Sequence, residues 1–106
     1  MTTTQDKVRA FVEAHALGAT AETRLLDLLA ELGELAKEAL IGDDYGEQAF
    51  TATEGWADEL GDVYFSLVCL ANETGVDLEA ALAGALAKYE ARLAAHGDAG
   101  SGGQDA

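Results

Sequence analysis

Four acids stand in two near-identical hexapeptides, AELGEL at residues 30–35 and DELGDV at residues 58–63. Each holds a pair three residues apart, Glu31 with Glu34 and Glu59 with Asp62. On an α-helix, positions i and i+3 share a face with Cβ atoms about 5–6 Å apart, so each pair presents two carboxylates in one direction. Two such helices laid side by side make a nest of four carboxylates. A nest of this kind suits a hard divalent cation, because Mg²⁺ takes oxygen ligands at about 2.0–2.1 Å and is commonly held by a few carboxylates together with substrate phosphates. Mn²⁺ accepts the same donors. Without a cation, like charges at this spacing repel one another and oppose folding.

Helices must supply these faces. Val8, Phe11, Val12 and His15 follow the i, i+3, i+4, i+7 pattern and predict a first helix, with Thr4 as its N-cap, an end near Gly18 and His15 packed on its apolar face. Thr20 can cap a second helix that runs to about Leu40 and stops at Gly42, a residue at ease in the left-handed conformation helix ends favour. With Glu31 set at 0°, Leu25, Leu28, Leu29, Leu32, Leu35, Ala36 and Leu40 fall between about 40° and 180°. Asp27, Glu31, Glu34 and Glu38 fall between about −60° and 0°. The first arc predicts a core face, the second an acidic stripe with no lysine in it. Like charges at i, i+4 are unfavourable, so a helix with no use for such a stripe would interleave Lys or Arg.

Residues 41–52 predict a polar connection, and Thr51 with Glu54 has the capping-box spacing that starts a third helix, expected to reach Thr74 and stop at Gly75. With Glu59 at 0°, Trp56, Leu60, Val63, Tyr64, Leu67, Val68, Leu70 and Ala71 occupy about 20° to 180°, and Asp62 sits near −60°. This cross-section repeats that of the second helix. Packing the two apolar arcs together would put both carboxylate pairs on one rim of the interface. Gly33 and Gly61 take equivalent places away from the carboxylates, and each costs about 1 kcal/mol relative to Ala in a helix interior, so close helix approach is the role expected of them. Asp77 caps a fourth helix whose apolar side is Leu78, Ala81, Leu82, Ala85, Leu86, Tyr89 and Leu93, with Gly97 at its end. From Gly97, GDAGSGGQDA reads as a disordered tail. The organisation expected is therefore one all-α domain over residues 1–96, a four-helix bundle-like protomer.

Composition bounds the partners. The chain has 106 residues, 49% of them hydrophobic, which supports one core, and it has no proline to interrupt a helix. Twenty acids against six bases give a net charge of −14, which argues against nucleic acid and anionic membrane, since both need Lys and Arg. A phosphate-bearing substrate would have to arrive with metal. The acid excess outlasts removal of the four nest residues and predicts a surface suited to concentrated salt. A melting temperature that climbs from dilute buffer to molar KCl is the expected sign, and a flat response would contradict it. MTTTQDKVRA carries no apolar leader and no run approaches the 18 or so residues of a membrane span, so a soluble, cytoplasmic protein is expected. Cys69, alone in an apolar stretch, is expected to pack as a small hydrophobe.

Di-iron bundles also gather glutamates on facing helices, but they need Glu-x-x-His, and neither His15 nor His96 has a Glu three residues before it. Neither G-x-x-x-x-G-K-[ST] nor G-x-S-x-G occurs. A carboxylate cage that held a metal could supply an activated water and neutralise charge on a polyphosphate without a covalent intermediate. Lys88 and Arg92 are i, i+4 neighbours among only six bases, suited either to a surface pair with Glu90 or to a phosphate clamp. Trp56, Tyr45 and Phe50 could contact a base, Trp56 also suiting the core.

At these residues the chain resembles the MazG-like all-α nucleoside triphosphate pyrophosphohydrolases, whose signature is E-x-x-E, a spacer, then E-x-x-D. Glu31-x-x-Glu34 and Glu59-x-x-Asp62 match it, and LANETGVDLEAAL looks like the usual continuation. The resemblance covers about residues 20–95. It implies an all-helical fold completed by homo-oligomerisation, as a homodimer or homotetramer. It also implies Mg²⁺-dependent hydrolysis of a (d)NTP to the monophosphate and pyrophosphate, a reaction that can clean nucleotide pools. By position it makes Glu31, Glu34, Glu59 and Asp62 metal ligands and Lys88 and Arg92 substrate contacts. The chain departs from many members at Ala30, where they carry a further acid, and at Cys69, where Asn is frequent. Glu38 or a metal-bound hydroxide would then activate water. Two alternatives stay open: hydrolysis of phosphoribosyl-ATP within the same superfamily, and a non-catalytic metal-binding interaction module.

Overall fold

The computed structural model describes residues 3–100. These form four helices and no strand: α1 (Thr4–Ala14), α2 (Ala21–Gly42), α3 (Trp56–Glu73) and α4 (Leu78–His96). The chain divides between Gly75 and Val76 into one unit holding α1, α2 and α3 and another holding α4. Among the described residues no helix is long and apolar enough to cross a membrane. The tail expected from residue 97 falls mostly outside the described residues.

Local chemistry sets the helix ends. Thr3, not Thr4, caps α1, because the acid that closes a capping box lies three residues beyond it: Asp6 N–H donates to Thr3 Oγ1 at 3.0 Å and Thr3 N–H donates to Asp6 Oδ2 at 3.1 Å. The Thr3 hydrogen bonds, with Arg9 beside them, hold the Asp6 carboxyl below its ordinary range. α1 stops four residues before Gly18, because Ala16 takes a φ of 53° and Leu17 N–H turns back to Val12 O at 2.9 Å. Thr20 caps α2 through Thr23 N–H at 3.1 Å. Asp77 caps α4 through the N–H groups of Glu79 and Ala80, and Gly97 ends it at φ 81°.

Gly42 is the last residue of α2 but is not its left-handed terminator. The reversal is made by Asp44 and Tyr45, at φ 51° and 56°, and Gly46 at 89°, with Asp43 Oδ1 accepting from Gly46 N–H. Gly42 instead permits the returning chain to lie against the helix. A Cβ there would sit 2.6 Å from Phe50 Cε1 and 2.6 Å from Thr51 O, and Thr51 N–H donates to Gly42 O at 2.9 Å. The Thr51/Glu54 capping box does not form: α3 begins at Trp56, its N-cap Gly55 makes no side-chain bond, and it is Thr53 that donates its hydroxyl to the Glu38 carboxylate. α3 ends at Glu73, where Thr74 N–H and Oγ1 both donate to Leu70 O, and Gly75 turns the chain at φ 71°.

α2 packs along α3, and α1 lies on the C-terminal half of α3, with Phe11 edge-on to Phe65 at 6.1 Å. The protected side of α2 runs through Arg24, Leu28, Glu31, Leu35, Glu38 and Gly42, and that of α3 toward it through Trp56, Glu59, Val63, Ser66 and Leu70. Both rows alternate steps of three and four, the seam of two helices in close contact. On α2 this seam centres near 30°, not near the 110° middle of the leucine arc, so the apolar arcs do not face each other as expected. Their outer edges, Leu25, Leu29, Leu32 and Leu40 on α2 and Leu60 and Tyr64 on α3, are exposed. Gly33 and Gly61 lie about 200° from the acids, on the side opposite the seam. A Cβ at either would meet nothing within 4 Å, so neither serves helix approach within the chain.

Candidate metal centre and adjoining cavity

The antiparallel return of α3 along α2 brings together three of the four expected acids. Carboxylate oxygens of Glu31, Glu59 and Asp62 lie within 4.8 Å of one another, the two glutamates half-buried and Asp62 exposed. Partial burial comes first, and Asp62, Glu34, Glu31 and Asp58 add to it, in holding the Glu59 carboxyl above its ordinary range. The donors are all carboxylate oxygens. Three oxygens each about 2.1 Å from one Mg²⁺ lie within about 4.2 Å of one another, so a small side-chain adjustment closes the group on a hard divalent cation. Softer metals that favour thiolate or imidazole find no such donor here.

The other expected site residues are not among these three. Glu34 is exposed on α2 and reaches Glu59 through its field. Glu38 is half-buried two turns beyond Glu31, accepts from the Thr53 hydroxyl, and lies so near Gly55 that a Cβ there would be 3.1 Å from its Oε1. Trp56 is half-buried at the start of α3, in edge contact with Phe50 at 5.0 Å between centroids, which fits a packing role. Lys88 and Arg92 lie on α4, in the other unit, and flank the Tyr89 ring at 5.2 and 5.8 Å. Their ion pair with Glu90 does not form; among the described residues the ion pair is Arg9 with Asp6 at 3.1 Å.

A cavity of about 290 Å³ opens where α1, the start of α2 and the end of α3 meet, lined by Arg9, Val12, Arg24, Cys69, Asn72 and Glu73 among others. Arg24 is only 7% exposed. Its Nη2 donates to Leu17 O, which pins the α1–α2 loop, and its Nε–H has no partner. Cys69 is buried as expected, and burial raises its thiol, so it stays protonated near neutrality. Composition alone did not single out Arg24 or Thr53. Arg24 was legible in principle, since it stands seven residues before Glu31 and therefore on the same row of α2.

A family model described as the MazG nucleotide pyrophosphohydrolase domain matches residues 19–95, taking in α2, α3 and nearly all of α4 but not α1. Over 68 residues the chain is 44% identical to the uncharacterized protein YpjD of Bacillus subtilis (strain 168), a stretch covering 61% of this chain and 60% of that protein. The chain thus spans less than two thirds of that relative's length. No solved structure matches the chain.

Proposed function

The chain belongs to the MazG nucleotide pyrophosphohydrolase family, and on that premise we propose that it hydrolyses a (d)NTP to the monophosphate and pyrophosphate with Mg²⁺, or Mn²⁺ in its place. The observation that carries this reading is the convergence of Glu31, Glu59 and Asp62 from two helices, with no base among them. A divalent cation held by these three would supply positive charge against the polyphosphate and make a bound water more acidic. Glu34 completes the set from the next turn of α2. Glu38 acts as a positioning residue: its carboxylate already accepts the Thr53 hydroxyl and so fixes the chain leading into α3, from whose first turns Glu59 and Asp62 project. Lys88 and Arg92 are assigned to the substrate phosphates.

Assembly belongs to the same reading. The outer leucines of α2 and the Leu60–Tyr64 edge of α3 form an apolar face too extended for a lone chain in water, which supports a homodimer or homotetramer. The activity is tested by pyrophosphate release from a panel of (d)NTPs and phosphoribosyl-ATP with Mg²⁺ or Mn²⁺, with Glu59→Gln as the control. Release from at least one (d)NTP that falls to background in the variant is the expected result. No release from any substrate, or equal release by the variant, would favour the metal-binding module, and release from phosphoribosyl-ATP alone would reassign the substrate.

A further inference from the structure

We propose that the cavity beside Arg24 is a nucleobase subsite, built for a base that carries an exocyclic amino group, with Arg24 donating to the ring's acceptor edge. It rests on the reading above, in which the acid cluster handles the phosphates of the same ligand.

The first observation is an unfinished hydrogen-bond inventory. A guanidinium has five N–H donors and no acceptor. Arg24 is more than nine-tenths buried, spends Nη2 on Leu17 O, leaves the enclosed Nε–H without a partner, and lines the cavity. No carboxylate among the described residues pairs with it. Buried donors are rarely left unsatisfied, because desolvation without a partner is costly. With Nε enclosed, a ligand's acceptor would be met by the guanidinium's remaining donors, and would relieve its incomplete hydrogen bonding from there.

Size and place select the ligand. At about 290 Å³ the cavity is at the small end of ligand pockets, which run from roughly 300 to 1,000 Å³, so it holds a ring and not a whole nucleotide. Arg24 stands seven residues before Glu31 on α2, and Cys69 seven after Asp62 on α3. At 1.5 Å rise per residue each lies about 10 Å along its helix from the acids, on the same row. A nucleotide bridges such a distance, its phosphates at the acids and its base at Arg24.

Polarity narrows the choice. Glu13 and Glu73, both exposed, line the cavity and offset the charge of Arg9 and Arg24, so the lining is neutral overall and is not a dedicated anion site. They accept readily from an amino group. Asn72 is already committed: Nδ2 donates to Gln5 O at 3.1 Å, and Oδ1 accepts from Gln5 Nε2 at 3.0 Å and Arg9 Nη2 at 3.1 Å, so it braces the wall. Val12, Ala16 and the Cys69 thiol offer uncharged surface to the ring. The Arg24 donor set beside the two carboxylates matches cytosine, adenine and guanine, each of which sets an acceptor beside an amino group. Uracil and thymine lack the amino group and would turn a carbonyl toward a carboxylate. Arg24, Cys69 and Glu73 lie within the family match, whereas the α1 wall with Val12 and Glu13 lies outside it.

The test uses phosphate-free nucleosides and the full chain without metal, so that it reads the cavity and not turnover. NMR-detected titration with cytidine, adenosine, guanosine, uridine and thymidine should show at least one amino-bearing nucleoside binding about tenfold or more tightly than uridine and thymidine. Arg24→Gln, which removes a charged donor, should weaken that binding by about tenfold or more. Because that variant also loses the tie to Leu17, Val12→Trp is the second arm: it fills the cavity from α1, leaves Arg24 in place, and should abolish binding. Equal binding of all five nucleosides, binding of none, or unchanged binding in both variants overturns the subsite. Arg24-dependent, base-selective binding without pyrophosphate release from any nucleotide keeps the subsite and overturns the enzymatic reading. Release of pyrophosphate without base-selective nucleoside binding does the reverse.

Discussion

Three glycines of the α2–α3 pair should respond in opposite ways to the same substitution. At Gly33 and Gly61 an added Cβ meets nothing within 4 Å, and both lie inside helices. Alanine there gains only the helix propensity that glycine forgoes, about 1 kcal/mol. For a domain of 60–100 residues that is a rise in Tm of about 4–8 °C per substitution. At Gly42 the added methyl would sit 2.6 Å from Phe50 Cε1 and 2.6 Å from Thr51 O. The ring can yield, but the carbonyl belongs to a backbone tied down by Thr51 N–H to Gly42 O at 2.9 Å. Overpacking of this kind costs about 1–3 kcal/mol, which exceeds the small propensity gain at a helix end. Gly42→Ala should therefore lower Tm by several degrees. It should also lower activity, because the displaced loop carries Thr53, which holds Glu38 at the approach to α3. The assay is circular-dichroism melting at one protein and Mg²⁺ concentration, since ligand and assembly both shift Tm. A Gly42→Ala chain as stable as wild type would refute the close approach. A Gly33→Ala chain destabilised as the monomer would refute the open face.

Without a cation, Glu59 is held toward its protonated form, so the folded state binds the extra proton; its contribution to stability is present at low pH and is lost as pH rises through the carboxylate range. Asp6 works in the other direction, contributing above its unfolded pKa and losing that contribution as pH falls. The difference in Tm between wild type and Glu59→Gln isolates the first effect: it should favour the variant increasingly as pH rises, and MgCl₂ should reverse it in wild type alone, whereas a pH-independent difference would refute the crowding of charge. Leu29, 64% exposed, should tolerate Lys with little change in monomer stability, yet Leu29→Lys should shift a sedimenting dimer or tetramer to smaller species; an unchanged profile would count against this face as the interface.

Spacing made the acids legible because i and i+3 geometry is local: a residue three places on shares the face whatever packs nearby, and Glu31, Glu59 and Asp62 needed only an antiparallel return to meet. The same locality gave Thr20, Asp77 and Gly97 their capping roles. What the sequence did not disclose was contact at a distance. The leucine arc of α2 shows that one side is apolar, but not which part of it α3 occupies, and the observed seam lies about 80° toward the acids from the arc's middle. Gly42 reads as a helix terminator until Phe50 and Thr51 are seen folded against it. Thr51 and Glu54 have the right spacing for a cap, yet the connecting chain is drawn instead to Glu38 through Thr53.

That rotation of the seam ties the site to assembly. Had the leucine arcs met, the acids would have sat on a solvated rim, free of one another's desolvation, and the leucines would have been consumed within the protomer. Instead Glu31 and Glu59 take seam positions where apolar residues would pack better, and Leu25, Leu29 and Leu32 face outward. The α2–α3 pair is thereby weakened at its centre and left adhesive at its surface. On the proposed reading, cation binding would relieve the first and association the second, both on the same two helices. Anything bound only by the folded pair stabilises it by mass action, and two such ligands of one state support each other reciprocally. Mg²⁺ should then lower the concentration at which the oligomer forms, and assembly should tighten Mg²⁺ binding by the same factor. Sedimentation across a dilution series with and without Mg²⁺ measures that factor, and a value of one would show that the acid seam and the leucine face are energetically separate.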